Sequence, residues 1–392
     1  MATTEAFGPH LTGRQITVIG AGIGGLACAG AMAQAGANVT VLEQAAELRE
    51  VGAGLQVTPN GARVIRALGL GADYDAGGLA AAAVSPTDAL TGRVLARFDL
   101  GHTDPAYRFF HRATLQRLLA DGAVAQGAAI RTGIRVDRLA RGGRIMTDEG
   151  AREADLVIGA DGIHSVARRF CEPDARPAEF TGQVAWRAVV SCSDVPPVAR
   201  IWMAPGRHVV TYPLSAERMN IVAVQERTEW AEEGWHHPDD PENLRTAFAD
   251  CGPDLRAILD RVEEARLWGL FRHPVARHWH NDRVAILGDA AHPTLPFLAQ
   301  GANLALEDAF VLARCCAGLP LDKALPRYQA LRRDRVSRAI DAANANARNY
   351  HLSGAGRRVA HLGLGLMDRL APALFLGRFG WLYDYDPAAV TP

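Results

Sequence analysis

QITVIGAGIGG, residues Gln15 to Gly25, is the stretch that decides the fold. Gln15 to Ile19 is a short β-branched run that reads as a buried strand. Glycines follow with G-x-G-x-x-G spacing at Gly20, Gly22 and Gly25. The Ala-rich segment Ile23 to Ala35 reads as a helix packed tightly on a sheet. A second buried strand, Asn38 to Leu42, completes a unit of roughly thirty residues, the size of a βαβ crossover. Each glycine has a physical task. Gly20 permits the tight turn, Gly22 lets backbone approach a pyrophosphate, and Gly25 lets helix and strand pack closely. The helix start offers free N–H groups and the positive end of its dipole to phosphates. Glu43 stands at the end of the second strand, 18 residues past Gly25. A carboxylate there accepts hydrogen bonds from a ribose 2′-hydroxyl and repels a 2′-phosphate. The unit binds one dinucleotide; by itself it does not separate NAD from FAD.

Working outward, Asn60 to Leu68 and Ala113 to Gln126 have helical spacing, and Asp155 to Ile158 and Arg283 to Leu287 read as further buried strands. Val184 to Val190, Ala199 to Met203, His208 to Pro213 and Met219 to Val224 alternate and suit an antiparallel sheet. From Asn303 to about Asn349 the pattern is helical, and Arg358 to about Leu370 is a further amphipathic segment. The fold class expected is α/β: a Rossmann-type domain interrupted by an antiparallel β-sheet domain, closed by a helical C-terminal region.

Composition fits this reading. The 392 residues leave room for two packed domains. Apolar residues make up 48% and charged residues 22%, ordinary globular usage that argues against disorder or a coiled coil. With 43 acidic and 42 basic residues the net charge is −1, so nothing calls for nucleic acid or an anionic membrane. The six cysteines form no C-x-x-C pair, and a reduced, cytoplasmic protein is expected. No run of 18 apolar residues marks a membrane span, and Met1 to His10 reads as a mobile arm without signal-peptide character. His273, His278 and His280 fit no metal-ligand spacing, so no metal is expected. His236 and His237 read as a surface turn.

Two more segments carry chemistry. In DLVIGADGIHSVAR, Asp155 to Arg168, a strand runs into a turn at Asp161-Gly162. In RVAILGDAAHPTLPFLAQGANLALED, Arg283 to Asp308, a strand runs into Gly288-Asp289, then a Pro-containing loop, then Gly301-Ala302-Asn303 at a helix start. An Asp at a strand end can hold polyol hydroxyls, and a Gly-rich helix start can hold an anion or polarised carbonyl.

GAGIGG, DG and GDAAHP, in this order, resemble the three conserved blocks of the single-component FAD-dependent aromatic monooxygenases of the para-hydroxybenzoate hydroxylase type. The resemblance spans residues 15 to about 345. It implies that Gly20, Gly22 and Gly25 cradle the FAD pyrophosphate and that Glu43 binds the adenosine ribose. It implies that Arg112 reaches the phosphate or ribityl region and that Asp161 serves FAD and nicotinamide-nucleotide binding. Asp289 then holds the ribityl chain, and Gly301, Ala302 and Asn303 lie near the flavin pyrimidine ring. The same resemblance implies an FAD-binding domain of residues 14–78, 104–180 and 268–345, a substrate domain of 79–103 and 181–267, and a C-terminal helical region of 346–392.

TGQVAWRAVV (Thr181 to Val190), WMAPGRHVVTYPL (Trp202 to Leu214) and PFLAQGANLALEDA (Pro296 to Ala309) look like the branch of salicylate hydroxylase, 3-hydroxybenzoate 6-hydroxylase and 6-hydroxynicotinate 3-monooxygenase. His208 and Tyr212 lie four apart on one strand, so both side chains share a face. By this resemblance they face the substrate, with His208 as base and Tyr212 and Gln300 as orienters. Arg187 matches an arginine that holds the phenolate in dearomatising relatives. Gln56 lies on the flavin or substrate side. NADH or NADPH is then the co-substrate, O₂ adds at flavin C4a, and the hydroperoxide passes oxygen to the ring of a small phenolic acid. Alternatives are a hydroxypyridine carboxylate as substrate, or a related flavin reductase without oxygen insertion, which would need a long apolar tunnel. A monomer or homodimer fits either.

Overall fold

A computed structural model describes residues 8–48, 53–227, 229, 237–370 and 377–391. The first seven residues of the expected arm, and His236 of the expected turn, lie outside the described residues. Pro9–Leu11 forms a short 3-10 helix whose Leu11 is buried, so the end of the arm is anchored.

The central sheet has six strands in the order His280–Asn281, Val284–Ile286, Leu156–Gly159, Gln15–Ile19, Asn38–Leu42 and Ala129–Arg131. All pairs are parallel except the first. Ile16 lies opposite Val39 on one side and Leu156 on the other. These strands are buried on both faces, which is why they read as unbroken apolar runs. The Ile23–Gln34 helix is buried on every side, packed against the helices Gly301–Gly318 and Arg112–Ala125. Small residues permit this: a Cβ on Gly30 would stand 3.7 Å from the Ala123 backbone.

An eight-stranded sheet forms the second layer. Its centre is Glu179–Ser191, Arg218–Glu226, Arg207–Pro213 and Val198–Ala204, all antiparallel. One pair departs from the expected pattern: Val198–Ala204 runs parallel to Ala83–Asp88. A strand arriving from 110 residues upstream cannot be placed by local alternation, because pairing direction is set by the connection. The far face of this sheet carries its own core of Trp186, Trp202, Ile221, Phe248 and Leu255. Its near face meets Phe297 and the long C-terminal helix through Val222, Val224, Ala343 and Ala347.

The helical stretch expected after Asn303 is two helices, Gly301–Gly318 and Leu321–Tyr350. The break falls at Leu319, whose extended backbone precedes Pro320, as the steric demand of proline on its predecessor requires. A further helix, Gly354–Leu370, lies beyond it. Among the described residues, no helix is long and apolar enough to cross a membrane.

Candidate active site

The first strand ends at Gly20, whose φ of +99° is the left-handed region that favours glycine. A Cβ on Gly20 would stand 2.4 Å from the Ala160 carbonyl oxygen, and one on Gly25 only 2.0 Å from the Gly20 oxygen. Both glycines are therefore demanded by the protein itself. Gly22 is different. Its backbone is ordinary extended chain, and a Cβ there would meet nothing within 4 Å. The fold itself therefore does not require glycine at this position. The turn between them is locked: Ala21 N–H donates to Glu43 Oε2 at 2.8 Å, and Gln116 donates to the Ala21 carbonyl at 2.7 Å. Glu43 also accepts from Ala45 N–H at 2.9 Å.

Two cavities meet at Gly22. The smaller, about 200 Å³, is lined by Gly20, Gly22, Glu43, Asp161 and His164. The larger, about 300 Å³, is lined by Gly22, Arg112, Asp289, Gly301 and Ala302 at one end and by Gln56, Arg187, His208, Tyr212 and Gln300 at the other. Together they form an elongated cleft from the strand-end carboxylate to the antiparallel sheet. A stretched dinucleotide needs such a shape, and the Gly22 gap and helix start fit its pyrophosphate.

The remaining expected site residues divide by what their polar atoms do. Asp161 is folded onto the next helix: it accepts from the Ser165 hydroxyl, from Val166 N–H at 2.7 Å and from Ala167 N–H at 3.2 Å. Burial raises its carboxyl, and these hydrogen bonds pull it back. Asp289 projects into the large cavity beside Arg112. Its side chain is exposed to the cleft, and the desolvation imposed by the cleft walls raises its carboxyl above the usual range against the pull of His292, Arg112 and His273. Asn303 is fully buried. Its carboxamide accepts from Thr58 N–H at 3.0 Å and donates to Gln56 O and Ala299 O, so it pins the Gly54–Val57 strand to the helix start. Gln300 is likewise held, donating to Thr58 Oγ1 and accepting from Asn60, both at 3.1 Å. The Gln300 amide thus holds the cavity wall as well as lining it.

His208, Val210 and Tyr212 present alternate side chains of the Arg207–Pro213 strand to the cavity. The Tyr212 hydroxyl is pushed up by burial, drawn down by Arg187 and hydrogen-bonded with Gln56. Arg187 stacks over Trp268, its guanidinium 5.4 Å from the ring centre. Desolvation lowers it only to about 10, so it stays charged at neutral pH. His208 is buried against the rings of Phe297 and Tyr350. Burial first, and then His351, lowers it well below the usual imidazole value.

Sequence reading missed several supports. His351 sits 2.7 Å from His208. Thr58 and Asn60 brace Gln300, and a charged cluster lies beneath the site, where Glu307 and Asp308 meet His292, Arg332 and Arg335. None has a local motif; each is assembled by contacts across more than a dozen residues of chain. A second, apolar cavity of about 390 Å³ shares Gln56, Val210, Pro296 and Ala299 with the first. Phe98, Tyr107, Met203 and Phe379 are among its walls. Among the described residues, no cluster of three or more His, Cys, Asp or Glu side chains is arranged to hold a metal.

Comparison with known proteins agrees with this geometry. Residues 14–343 match the family described as FAD binding domain. The 3-amino-4-hydroxybenzoate 2-monooxygenase PtmB3 of Streptomyces platensis is 34% identical, over 96% of this chain and 97% of its own. The 3-hydroxybenzoate 6-hydroxylase of Polaromonas naphthalenivorans is 33% identical, over 95% and 96%. The solved structure of Klebsiella pneumoniae HpxO with FAD and uric acid superposes with a TM-score of 0.79 at 25% identity, covering 90% of this chain and 93% of that one.

Proposed function

Because the chain belongs to the FAD binding domain family, as a flavin monooxygenase of the para-hydroxybenzoate hydroxylase type, we propose that it hydroxylates a small phenolic aromatic acid at the His208–Tyr212 end of its cleft, with NADH or NADPH as reductant. One observation carries this: the cofactor-type residues Gly22, Arg112 and Asp289 and the substrate-type residues Arg187, His208 and Tyr212 line one continuous cavity. FAD, when bound, supplies the activation of O₂ that puts one oxygen atom on the ring. The chain's own residues do the rest.

In this reading Gly20, Gly22 and Gly25 shape the pyrophosphate turn and Glu43 meets the ribose. Arg112 and Asp289 hold the middle of the cofactor, and Gly301 and Ala302 present backbone to its ring end. Asp161 and Asn303 act indirectly, by fixing the helix start and the strand that wall the site. His208 takes the phenol proton. Burial and His351 lower its basicity, which favours the neutral form whose lone pair can accept that proton. Arg187 lies where a fixed positive charge favours phenolate over phenol in a water-poor space. Tyr212 donates its hydroxyl to the substrate's oxygen atoms, and Gln300 holds the wall beside them. Leu295, Pro296 and Val210 supply apolar surface for the ring. The division of the chain into FAD-binding, substrate and C-terminal regions at the boundaries given above belongs to the same proposal.

The test is oxidation of NADH and NADPH by the purified, flavin-loaded protein with salicylate, 3-hydroxybenzoate, 3-amino-4-hydroxybenzoate and 6-hydroxynicotinate, the product identified by mass. Stimulated oxidation with a gain of one oxygen, or of one oxygen with loss of CO₂, supports the reading and names the ring. The apolar second cavity favours one rival, reduction of an apolar chain without oxygen insertion. A product heavier by two hydrogens, with no oxygen gained, would replace the proposal with that rival.

A further inference from the structure

His208, His351 and Glu226 form a line. His208 Nδ1 lies 2.7 Å from His351 Nε2, and His351 Nδ1 lies 2.8 Å from Glu226 Oε1. Both imidazoles are buried, whereas the Glu226 side chain is 55% exposed. The line therefore runs from the inner cavity to solvent. The fold holds it at both ends. Gly206, at φ +68°, turns the chain so that its N–H donates to the His351 carbonyl at 3.1 Å and its carbonyl accepts from Glu226 N–H at 2.9 Å.

We infer that His351 and Glu226 are positioning residues that carry the substrate's phenolic proton from His208 to solvent. The inference rests on the reading of His208 as the base. With Glu226 ionised, His351 donates from Nδ1 to the carboxylate, which leaves its Nε2 as an acceptor. His208 then donates from Nδ1, and its Nε2, which has no protein partner among the described residues, presents a lone pair to the cavity. The proton bookkeeping closes. The phenol O–H breaks and His208 Nε2–H forms. His208 Nδ1–H passes to His351 Nε2, and His351 Nδ1–H passes to Glu226, which releases it to water. No electrons are transferred, and each ring returns to neutral.

Storage on His208 is the alternative, and the surroundings oppose it. Burial and the neighbouring imidazole disfavour a charged His208, and burial likewise lowers His351 against the pull of Glu226. Arg112, Arg187, Tyr212 and Asp289 face the same cavity, and Tyr350 packs on the His208 ring. Arg207, beside His208 on its strand, is tied to Asp250. Arg112 and Arg187 oppose a further positive charge in the cavity and Asp289 favours one, while Arg207 is neutralised by Asp250. Burial and His351 decide against a stored charge on His208, so a proton arriving there passes on.

The experiment mixes the FAD-loaded protein with 3-hydroxy-4-nitrobenzoate in weak buffer, below the pH at which that phenol ionises. Phenolate formation and proton release to a pH indicator are followed by stopped flow, without reductant. Glu226→Gln and His351→Gln are each expected to slow proton release at least about tenfold. Added imidazole should restore part of the rate in His351→Gln. Parental release rates in Glu226→Gln overturn the relay even if His351→Gln fails to fold, since Glu226 lies at the surface. Parental rates in a folded His351→Gln overturn it as well. His208→Gln separates the two ideas. Undiminished ionisation there defeats the reading of His208 as base, whereas loss there with unaffected Glu226→Gln defeats the relay alone.

Discussion

Arg332 donates from Nε to Oδ1 of Asp308 at 2.7 Å, and neither side chain has any exposure to solvent. The same guanidinium approaches Glu307 at 2.6 Å, and His292 meets the other Asp308 oxygen at 2.5 Å. Asp308 in turn accepts from Gly288 N–H at 3.1 Å, the residue before Asp289, and Glu307 accepts from Asn60 at 2.6 Å. The cluster therefore bolts both walls of the cofactor cleft to the helix between them.

Breaking a buried pair leaves an uncompensated charge, so Arg332→Met should cost about 3–5 kcal/mol of stability. Thermal or urea unfolding of the apoprotein reads it. The pH dependence has a definite sign. Burial alone would raise Asp308, but His292 and Arg332 outweigh it and hold it at about 2 instead of the ordinary 3.8. A depressed carboxyl contributes stability that is present above the unfolded value and lost as pH falls from 3.8 towards 2. Arg332→Met should move acid unfolding to higher pH, and an unchanged acid midpoint would refute this assignment.

Gly22 and Gly25 make opposite predictions although they belong to one motif. Gly22→Ala places a methyl in open space, so the apoprotein should unfold within about 0.5 kcal/mol of the parent. FAD should nevertheless be lost on gel filtration, because the methyl occupies the approach to the pyrophosphate. Gly25→Ala drives its Cβ into the Gly20 carbonyl and should cost well over 1 kcal/mol with or without cofactor. Equal apoprotein stabilities for the two variants would contradict the division between ligand-demanded and fold-demanded glycines.

His208→Gln should lower coupled hydroxylation by about 10²–10⁴-fold, the range for a lost acid–base group. Flavin content should be unchanged, because His208 lies at the sheet end of the cavity, away from Gly22. Hydrogen peroxide formed per NADH consumed is the second readout and should rise towards one. Retained coupling would remove His208 from the chemistry.

Much of this architecture was legible because it is local. The Gln15–Ile19 and Asn38–Leu42 strands fall where β-branched runs placed them, and His208 and Tyr212 share a face because strand period is two. The parallel pairing of Val198 with Ala83 was not legible, since direction is decided by a distant connection. Nor was the break between the two long helices placed, although Pro320 marked it. At the site, sequence suggested which residues line the cleft but not which polar atoms remain for a ligand. The amides of Gln300 and Asn303 are held by Thr58, Asn60 and backbone carbonyls. His351 stands 143 residues from His208 at the end of a helix, where no spacing rule could join them.

Asp289 yields the last prediction, again with a sign. Desolvation raises its carboxyl above 3.8 in the protein without cofactor. If the carboxylate accepts hydrogen bonds from FAD hydroxyls, binding favours the ionised form and lowers that value again. Affinity must then be full above the raised value and fall as pH drops through it, by at most about tenfold per pH unit. Asp289→Asn keeps the shape and removes the charge. It should weaken FAD binding about 10- to 100-fold, the worth of hydrogen bonds to a charged acceptor, and flatten the pH dependence. Quenching of flavin fluorescence measures both. Asp308 keeps its charge until about 2, so its cluster persists while Asp289 titrates, and protein fluorescence or circular dichroism recorded at each pH separates lost affinity from unfolding. A parental pH dependence in Asp289→Asn would place the titrating group elsewhere in the cleft.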